Sequence, residues 1–233
     1  MVERSSRTEV LPSLGGARPS SRFRLLCGSP WHMIKRSAAP IVQTRLRIIS
    51  AAASLFHKKG VRATRIGEIS KAARVTTQQL YHHFRTKGDI AEEVVRAYLA
   101  EIKAGTSRLH HKLESWRDLK RTFTAHIELL EEFKMRRGCP LGIIGNGLTV
   151  EDEGIRQDLN LVFEALKERI ATFLRKEKSE ARLLPSADEE QLAEFCVATM
   201  QGAMLIGKVR RDSRPVAKIF SDLSMHLNGY KME

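Results

Sequence analysis

The stretch TRIGEISKAARVTTQQLYHHFRTKGDI, residues 64–90, decides the fold. Thr64 opens a short helical pattern in which Ile66, Ile69 and Ala73 recur at helical spacing. A turn at Arg74-Val75 follows. Thr76 then stands three residues before Gln79, which is the spacing of a capping box. The hydroxyl accepts from the third backbone N–H, and the amide accepts from the cap's own N–H. Leu80 and Phe84 point to the core at i, i+4. Lys87-Gly88-Asp89 begins another helix, with Ile90, Val94, Tyr98 and Ile102 as its stripe. The spacing predicts short helices at about residues 65–72 and 77–84, with a longer helix ahead of them. That is a helix-turn-helix, whose second helix puts its N-terminal residues into the major groove of DNA.

The exposed positions of that second helix are Thr76, Thr77, Gln78, Tyr81 and His82. Hydroxyls hold phosphates, and Gln can bond an adenine edge in two places. Lys87 begins the following helix, where a cation beside free N–H groups makes a phosphate site. Arg62, Arg65, Lys71, Arg74 and Arg85 supply general attraction to a polyanion.

Charge agrees with this placement. Residues 41–88 carry ten Arg/Lys and one acid, Glu68. Residues 89–233 carry 23 Arg/Lys against 24 acids, so the basic excess sits at the front of a chain with net charge +13. A basic segment joined to a neutral one suggests a polyanion reader attached to a separate module.

Residues 1–39 read as a basic tail without helical or strand period. Two readings stand for it. Met33 is an alternative start, which would make the preceding residues an over-extended gene boundary; otherwise the tail is a basic arm that contacts DNA. From Val42 the pattern turns helical, with Leu46, Ile49, Ala53 and Phe56 on one stripe and Lys58-Lys59-Gly60 closing it. Longer helices follow. Trp116, Leu119, Phe123, Ile127 and Leu130 mark one; Ile155 through Phe173 mark a second; Leu192, Phe195, Thr199, Ala203 and Ile206 mark a third. Pro215 starts a last one with Ile219, Leu223 and Leu227 inward. Gly138-Cys139-Pro140 breaks the middle. No stretch alternates with period two for long, so the fold class is all-α.

The quoted run resembles the DNA-binding domain of the TetR family of transcriptional regulators. The matching residues are Thr64, Ile69 to Val75, Leu80-Tyr81-His82-His83-Phe84 and Lys87-Gly88-Asp89-Ile90. The resemblance implies a three-helix DNA-binding domain at residues 40–88. It makes Thr64, Arg65, Arg74, Thr76, Thr77, Gln78, Tyr81, His82 and Lys87 its DNA contacts. One residue departs from the pattern: the family usually has Gly in the turn, where this chain has Arg74. If that site needs positive φ, the side chain costs about 1 kcal/mol.

The resemblance continues in RGCPLG, residues 137–142, and QGAMLIGKVRRDSRPV, residues 201–216. It implies that residues 89–233 bind a small effector and dimerise, most commonly as a repressor that the effector releases from its operator. The expected pocket lining is Phe123, Ile127, Leu130, Cys139, Ile143, Ile144, Phe163 and Leu166, which points to a mainly apolar ligand. Cys139 has Lys134, Arg136 and Arg137 nearby, which can lower a thiol pKa and make it a sensor of electrophiles. The preferred reading is a small buried hydrophobe. The expected dimer face is Phe195, Thr199, Gly202, Ala203, Ile206, Ile219 and Leu223. A two-fold dimer reads palindromic half-sites roughly 34–36 Å apart on double-stranded DNA.

Other classes fit less well. His82-His83 and His110-His111 are neighbours on the chain, and helical neighbours diverge by about 100°, so they do not chelate one ion. No nucleophile elbow, phosphate-cradling loop or HExxH is present, so neither an enzyme nor a bound cofactor is expected. Three cysteines give no disulfide framework. No apolar run reaches the roughly 20 residues of a membrane span. A cytoplasmic protein with no membrane partner is expected.

Overall fold

The computed structural model describes residues 40–232. The expectations for residues 1–39, the basic tail and the Met33 start among them, lie outside the described residues. Among the described residues every named element is a helix, with one isolated bridge between Leu183 and Lys231.

Helix α1 (Pro40–Lys59) buries Ile48, Ile49, Ala52 and Phe56. Leu46 and Ala53, expected on that stripe, lie half-buried at its margins. Gly60 ends the helix with φ +81, a left-handed turn open to glycine. Helices α2 (Ile66–Ala73) and α3 (Thr77–His83) follow, each displaced by at most one residue from its expected start. Arg74 sits between them at φ 56, ψ 49, so the site does need the left-handed region that glycine usually fills. Its N–H bonds the Lys71 carbonyl at 3.2 Å, and the Val75 N–H bonds Ser70 at 3.0 Å, closing the α2 end.

Helix α4 (Lys87–Ala104) is capped by Thr86 and Asp89 and ends at Gly105. It packs on α1 and on α7, and so joins the two parts of the chain. Then come α5 (Trp116–Glu132), α6 (Pro140–Gly145), α7 (Glu153–Ser179), α8 (Glu189–Arg210) and α9 (Arg214–Asn228). Pro140 and Pro215 both occupy first turns, where the missing N–H is tolerated. One core runs through both parts, with Phe56, Leu80 and Ile90 at one end and Leu130, Phe173 and Leu174 at the other.

Helix α8 is long and apolar enough to cross a membrane by length and composition. It packs instead against α5, α7 and α9, as a core helix does. Gly207 allows the close approach of α9. A Cβ there would lie 2.5 Å from Val216 Cγ2 and 2.9 Å from Met135 Cε.

Candidate nucleic-acid interface and internal cavity

Helix α3 is held by few contacts, and each has a clear cause. Thr76 Oγ1 accepts from the Gln79 N–H at 3.1 Å, and Gln79 Oε1 accepts from the Thr76 N–H at 2.9 Å. Leu80 and Phe84 are buried and anchor the inner side. The opposite face then has to point outward. Thr76, Thr77, Gln78, Tyr81 and His82 line it, all of them exposed and Tyr81 to 51%. Arg62, Arg65, Lys71, Arg74 and Arg85 lie around the same unit. Glu68, the one acid, is matched by Lys59 at 2.6 Å.

Two expected contacts are placed elsewhere. Thr64 is buried to 1% and donates its hydroxyl to the Gly60 carbonyl at 2.7 Å. It caps α1 rather than presenting itself outward. Lys87 turns inward, with Nζ bonding the Arg62 and Thr64 carbonyls at 3.1 and 3.0 Å. The Asp89 N–H at the head of α4 is taken by Thr86 Oγ1 at 3.0 Å. Lys87 thereby braces the connection between α1 and α2 rather than standing free at the head of α4.

An internal cavity of about 70 Å³ lies behind this unit. Its wall includes His57 from α1, Glu101 from α4, His110 from the connection before α5, and His126 from α5. Cys139, Leu166, Arg169 and Met200 also border it. Of the expected lining, the cavity takes Cys139 and Leu166. Phe123 instead stacks on Phe220 with ring centroids 5.2 Å apart. Leu130 and Ile144 belong to the solid core, and Ile127, Ile143 and Phe163 lie partly buried away from the cavity wall.

The wall is more polar than a mainly apolar ligand requires. Burial holds His57 and His126 down to about 4 and pushes His110 well below the usual histidine value. All three are neutral at neutral pH. His57 Nε2 bonds the Gly138 carbonyl at 2.9 Å, and His126 Nδ1 bonds the Thr122 carbonyl at 2.7 Å. Facing carbonyls, both nitrogens must be the protonated donors. Burial raises the Glu101 carboxyl, opposed by a hydrogen bond from Ser107. Burial lowers Arg169 to about 10, which leaves it charged at neutral pH. Sequence periodicity gave no sign of His57, Glu101, His110, His126 or Arg169 as a group, because they come from separate segments of the chain.

Cys139 borders the cavity, yet burial pushes its thiol pKa up. The neighbouring Arg137 stacks on Phe133, 4.1 Å from the ring centroid. The electronic support for a reactive thiolate is thus missing, and the small-hydrophobe reading is the one the surroundings favour.

The outer face of α8 and α9 is apolar. Phe195 is 47% exposed, Leu205 49%, Val209 73% and Met225 61%. Ile206 belongs to the same face, and a Cβ added at Gly202 would meet no heavy atom within 4 Å. Thr199 and Ile219 are half-buried at its edge. Ala203 and Leu223, expected on this face, are buried in the protomer's own core. They sit on the inner side of their helices, where α8 and α9 pack together.

An exposed polar α3 in a basic three-helix unit, followed by a cavity-bearing helical part, defines a helix-turn-helix transcriptional regulator. Comparisons with known proteins assign the family. Sequence models of "Bacterial regulatory proteins, tetR family" and "Tetracyclin repressor-like, C-terminal domain" match residues 48–94 and 115–223. The chain belongs to the TetR family of DNA-binding transcriptional regulators. It is 26% identical over 181 residues to the transcriptional regulator AcuR of Cereibacter sphaeroides, covering 77% of this chain and 83% of that one. It is 22% identical over 174 residues to the HTH-type transcriptional repressor DhaR of Mycobacterium sp. (strain GP1), covering 74% and 86%. Among solved structures, a TetR-family regulator from Cytophaga hutchinsonii shares the fold at TM-score 0.73 and 18% identity, covering 85% of this chain and all of that one.

Proposed function

We propose that this protein is a repressor that binds an operator as a homodimer and is released by a small effector. The observation that carries this reading is the composition of the cavity wall. His57 belongs to α1 of the DNA-binding unit, and Glu101 belongs to α4, which packs on α1. A molecule in the cavity touches the unit that carries α3. It can therefore bind two arrangements of that unit with different affinity, which is what ligand control requires.

The division of labour is residues 40–88 for DNA and residues 89–233 for effector and dimer. Gln78 and Tyr81 face base edges or the groove wall, with Thr76, Thr77 and His82 beside them. Arg65 and Arg74 reach phosphates. The exposed α8–α9 face, with Phe195, Gly202 and Ile206, pairs with itself across a two-fold axis. Such a dimer presents two α3 helices to a palindromic site. The protein acts in the cytoplasm, without a catalytic or membrane role.

Light scattering gives the mass, and fluorescence anisotropy gives affinity for the DNA upstream of its own gene. The reading expects a dimer and a Kd of about 10⁻⁸ M or tighter at physiological salt. A monomer, or equal binding to unrelated DNA, would contradict it.

A further inference from the structure

The cavity wall carries a guanidinium that no carboxylate pairs with directly. Arg169 Nε and Nη2 donate to the His111 carbonyl at 3.0 and 2.7 Å, and Nη2 donates to Thr122 Oγ1 at 3.2 Å. These partners use three of the five guanidinium N–H groups, and they are all neutral. Nη1 has no partner among the described residues. No carboxylate pairs with Arg169 there either, since the adjacent Glu168 pairs with Arg175. A buried charge normally has a partner of opposite sign. Arg169 is half-buried, and its guanidinium borders this cavity and a wider cleft beside it instead.

A second group is also unpartnered. His110 is 7% exposed, borders the same cavity, and its Nδ1 has no hydrogen-bond partner. The ring is free to carry its proton on either nitrogen, and so can donate to an acceptor in the cavity. The remaining wall includes Leu166, Ile170, Val197 and Met200. Glu101 stands in the same wall, its carboxyl pushed by burial toward the uncharged form; one cation, one free imidazole and the apolar residues together point to an anionic head on a short apolar body.

The volume restricts the length of that body. The cavity measures about 70 Å³, roughly half of an engineered cavity that admits benzene. A molecule of about three to five non-hydrogen atoms fits without rearranging the helices. Arg169 also borders a wider cleft of about 500 Å³ that carries Lys103, Lys112 and Lys176, against Glu114 and Glu168. An anion approaching Arg169 from that side meets an excess of positive charge.

We propose that the effector is a short-chain carboxylate, held by Nη1 of Arg169 and a ring nitrogen of His110 with its carbon chain against Val197 and Met200. The proposal rests on the reading of this cavity as the effector site.

The test titrates acetate, propionate, butyrate and valerate, and the four corresponding primary amides, against the full chain. Calorimetry reads binding, and anisotropy reads release of the upstream DNA. At least one acid should bind at least tenfold more tightly than its amide and release the DNA. The His110→Phe variant, which keeps an aromatic ring at that position, should weaken that acid about tenfold while the unliganded thermal midpoint stays within a few degrees. Arg169→Gln should abolish the preference for acid over amide. If Arg169→Gln fails to fold, the acid-over-amide ratio in the wild type and in His110→Phe decides. Amides as effective as acids, or no binding by any acid, overturn the proposal. A Val197→Trp variant, which fills the cavity, separates the two readings. Amide-driven DNA release that Val197→Trp abolishes keeps the cavity as effector site and rejects the carboxylate. Release unaffected by Val197→Trp rejects the cavity itself.

Discussion

His57 in the last turn of α1 donates from Nε2 to the carbonyl of Gly138, 2.9 Å away and 81 residues along the chain. Gly138 immediately precedes Cys139 and the start of α6, so this bond ties the DNA-binding unit to the cavity wall. His57 also meets Phe133 edge-on at 5.0 Å. His57→Phe keeps the ring and removes the donor, leaving a buried carbonyl unpaired at a cost of about 1–3 kcal/mol. Urea denaturation should show that loss. DNA affinity should also become less responsive to the effector. An unchanged urea midpoint would remove this bond from the account.

The buried histidines make stability depend on pH in a definite window. His57 and His126 titrate at about 4 in the folded chain, against 6.5 when unfolded. The unfolded chain therefore binds more protons between those values. Stability is fully present above pH 6.5 and is lost as pH falls toward 4. Each histidine should cost about 2 kcal/mol at pH 5. Carboxylates held low by their partners, such as Asp89 and Asp152, lose their contribution only below about pH 4. A thermal midpoint that is flat between pH 7 and pH 5 would contradict this.

Arg74→Gly tests the departure from the family pattern. The residue sits at φ 56, so glycine relieves about 1 kcal/mol of left-handed strain, offset by the freedom it adds to the unfolded chain. Stability should stay within about 1 kcal/mol of wild type. The slope of log affinity against log salt should fall by about one, for one lost phosphate contact. An unchanged slope places Arg74 off the DNA.

Gly207→Ala separates packing within the protomer from packing between protomers. Its Cβ would meet Val216 Cγ2 at 2.5 Å, whereas a Cβ at Gly202 meets nothing within 4 Å. Gly207→Ala should cost about 1–3 kcal/mol in stability. Val209→Asp, on the 73% exposed position, should leave the fold intact and convert dimer to monomer. Equal effects of both on the dimer would contradict the division of α8 into an inner and an outer face.

What the sequence made legible was local. The Thr76–Gln79 box, the Gly60 stop and the left-handed turn at Arg74 are each decided within four residues, and each stands where its chemistry requires. The cavity is assembled from α1, α4, the connection before α5, and α5 to α8. Hydrophobic periodicity selects apolar inward positions, so it chose core residues such as Phe123 and Leu130 and passed over inward polar ones. His110 and His111 illustrate the limit. As adjacent residues they point apart, and one is buried at the cavity while the other bonds the Arg108 and Asp118 carbonyls. Thr64, expected at the DNA, is placed elsewhere for another reason. Its hydroxyl serves the preceding helix, and a residue's type does not say which neighbour it caps.

The most direct test of the central claim is nuclease footprinting of the full chain on the DNA upstream of its gene, with wild type and Gln78→Ala side by side. The account predicts one short symmetric protected stretch for wild type. With Gln78→Ala, protection should weaken by about 1–3 kcal/mol at the specific site, with binding to unrelated DNA unchanged. Coating of the DNA without boundaries, or an undiminished footprint for Gln78→Ala, would contradict α3 as the helix that reads sequence.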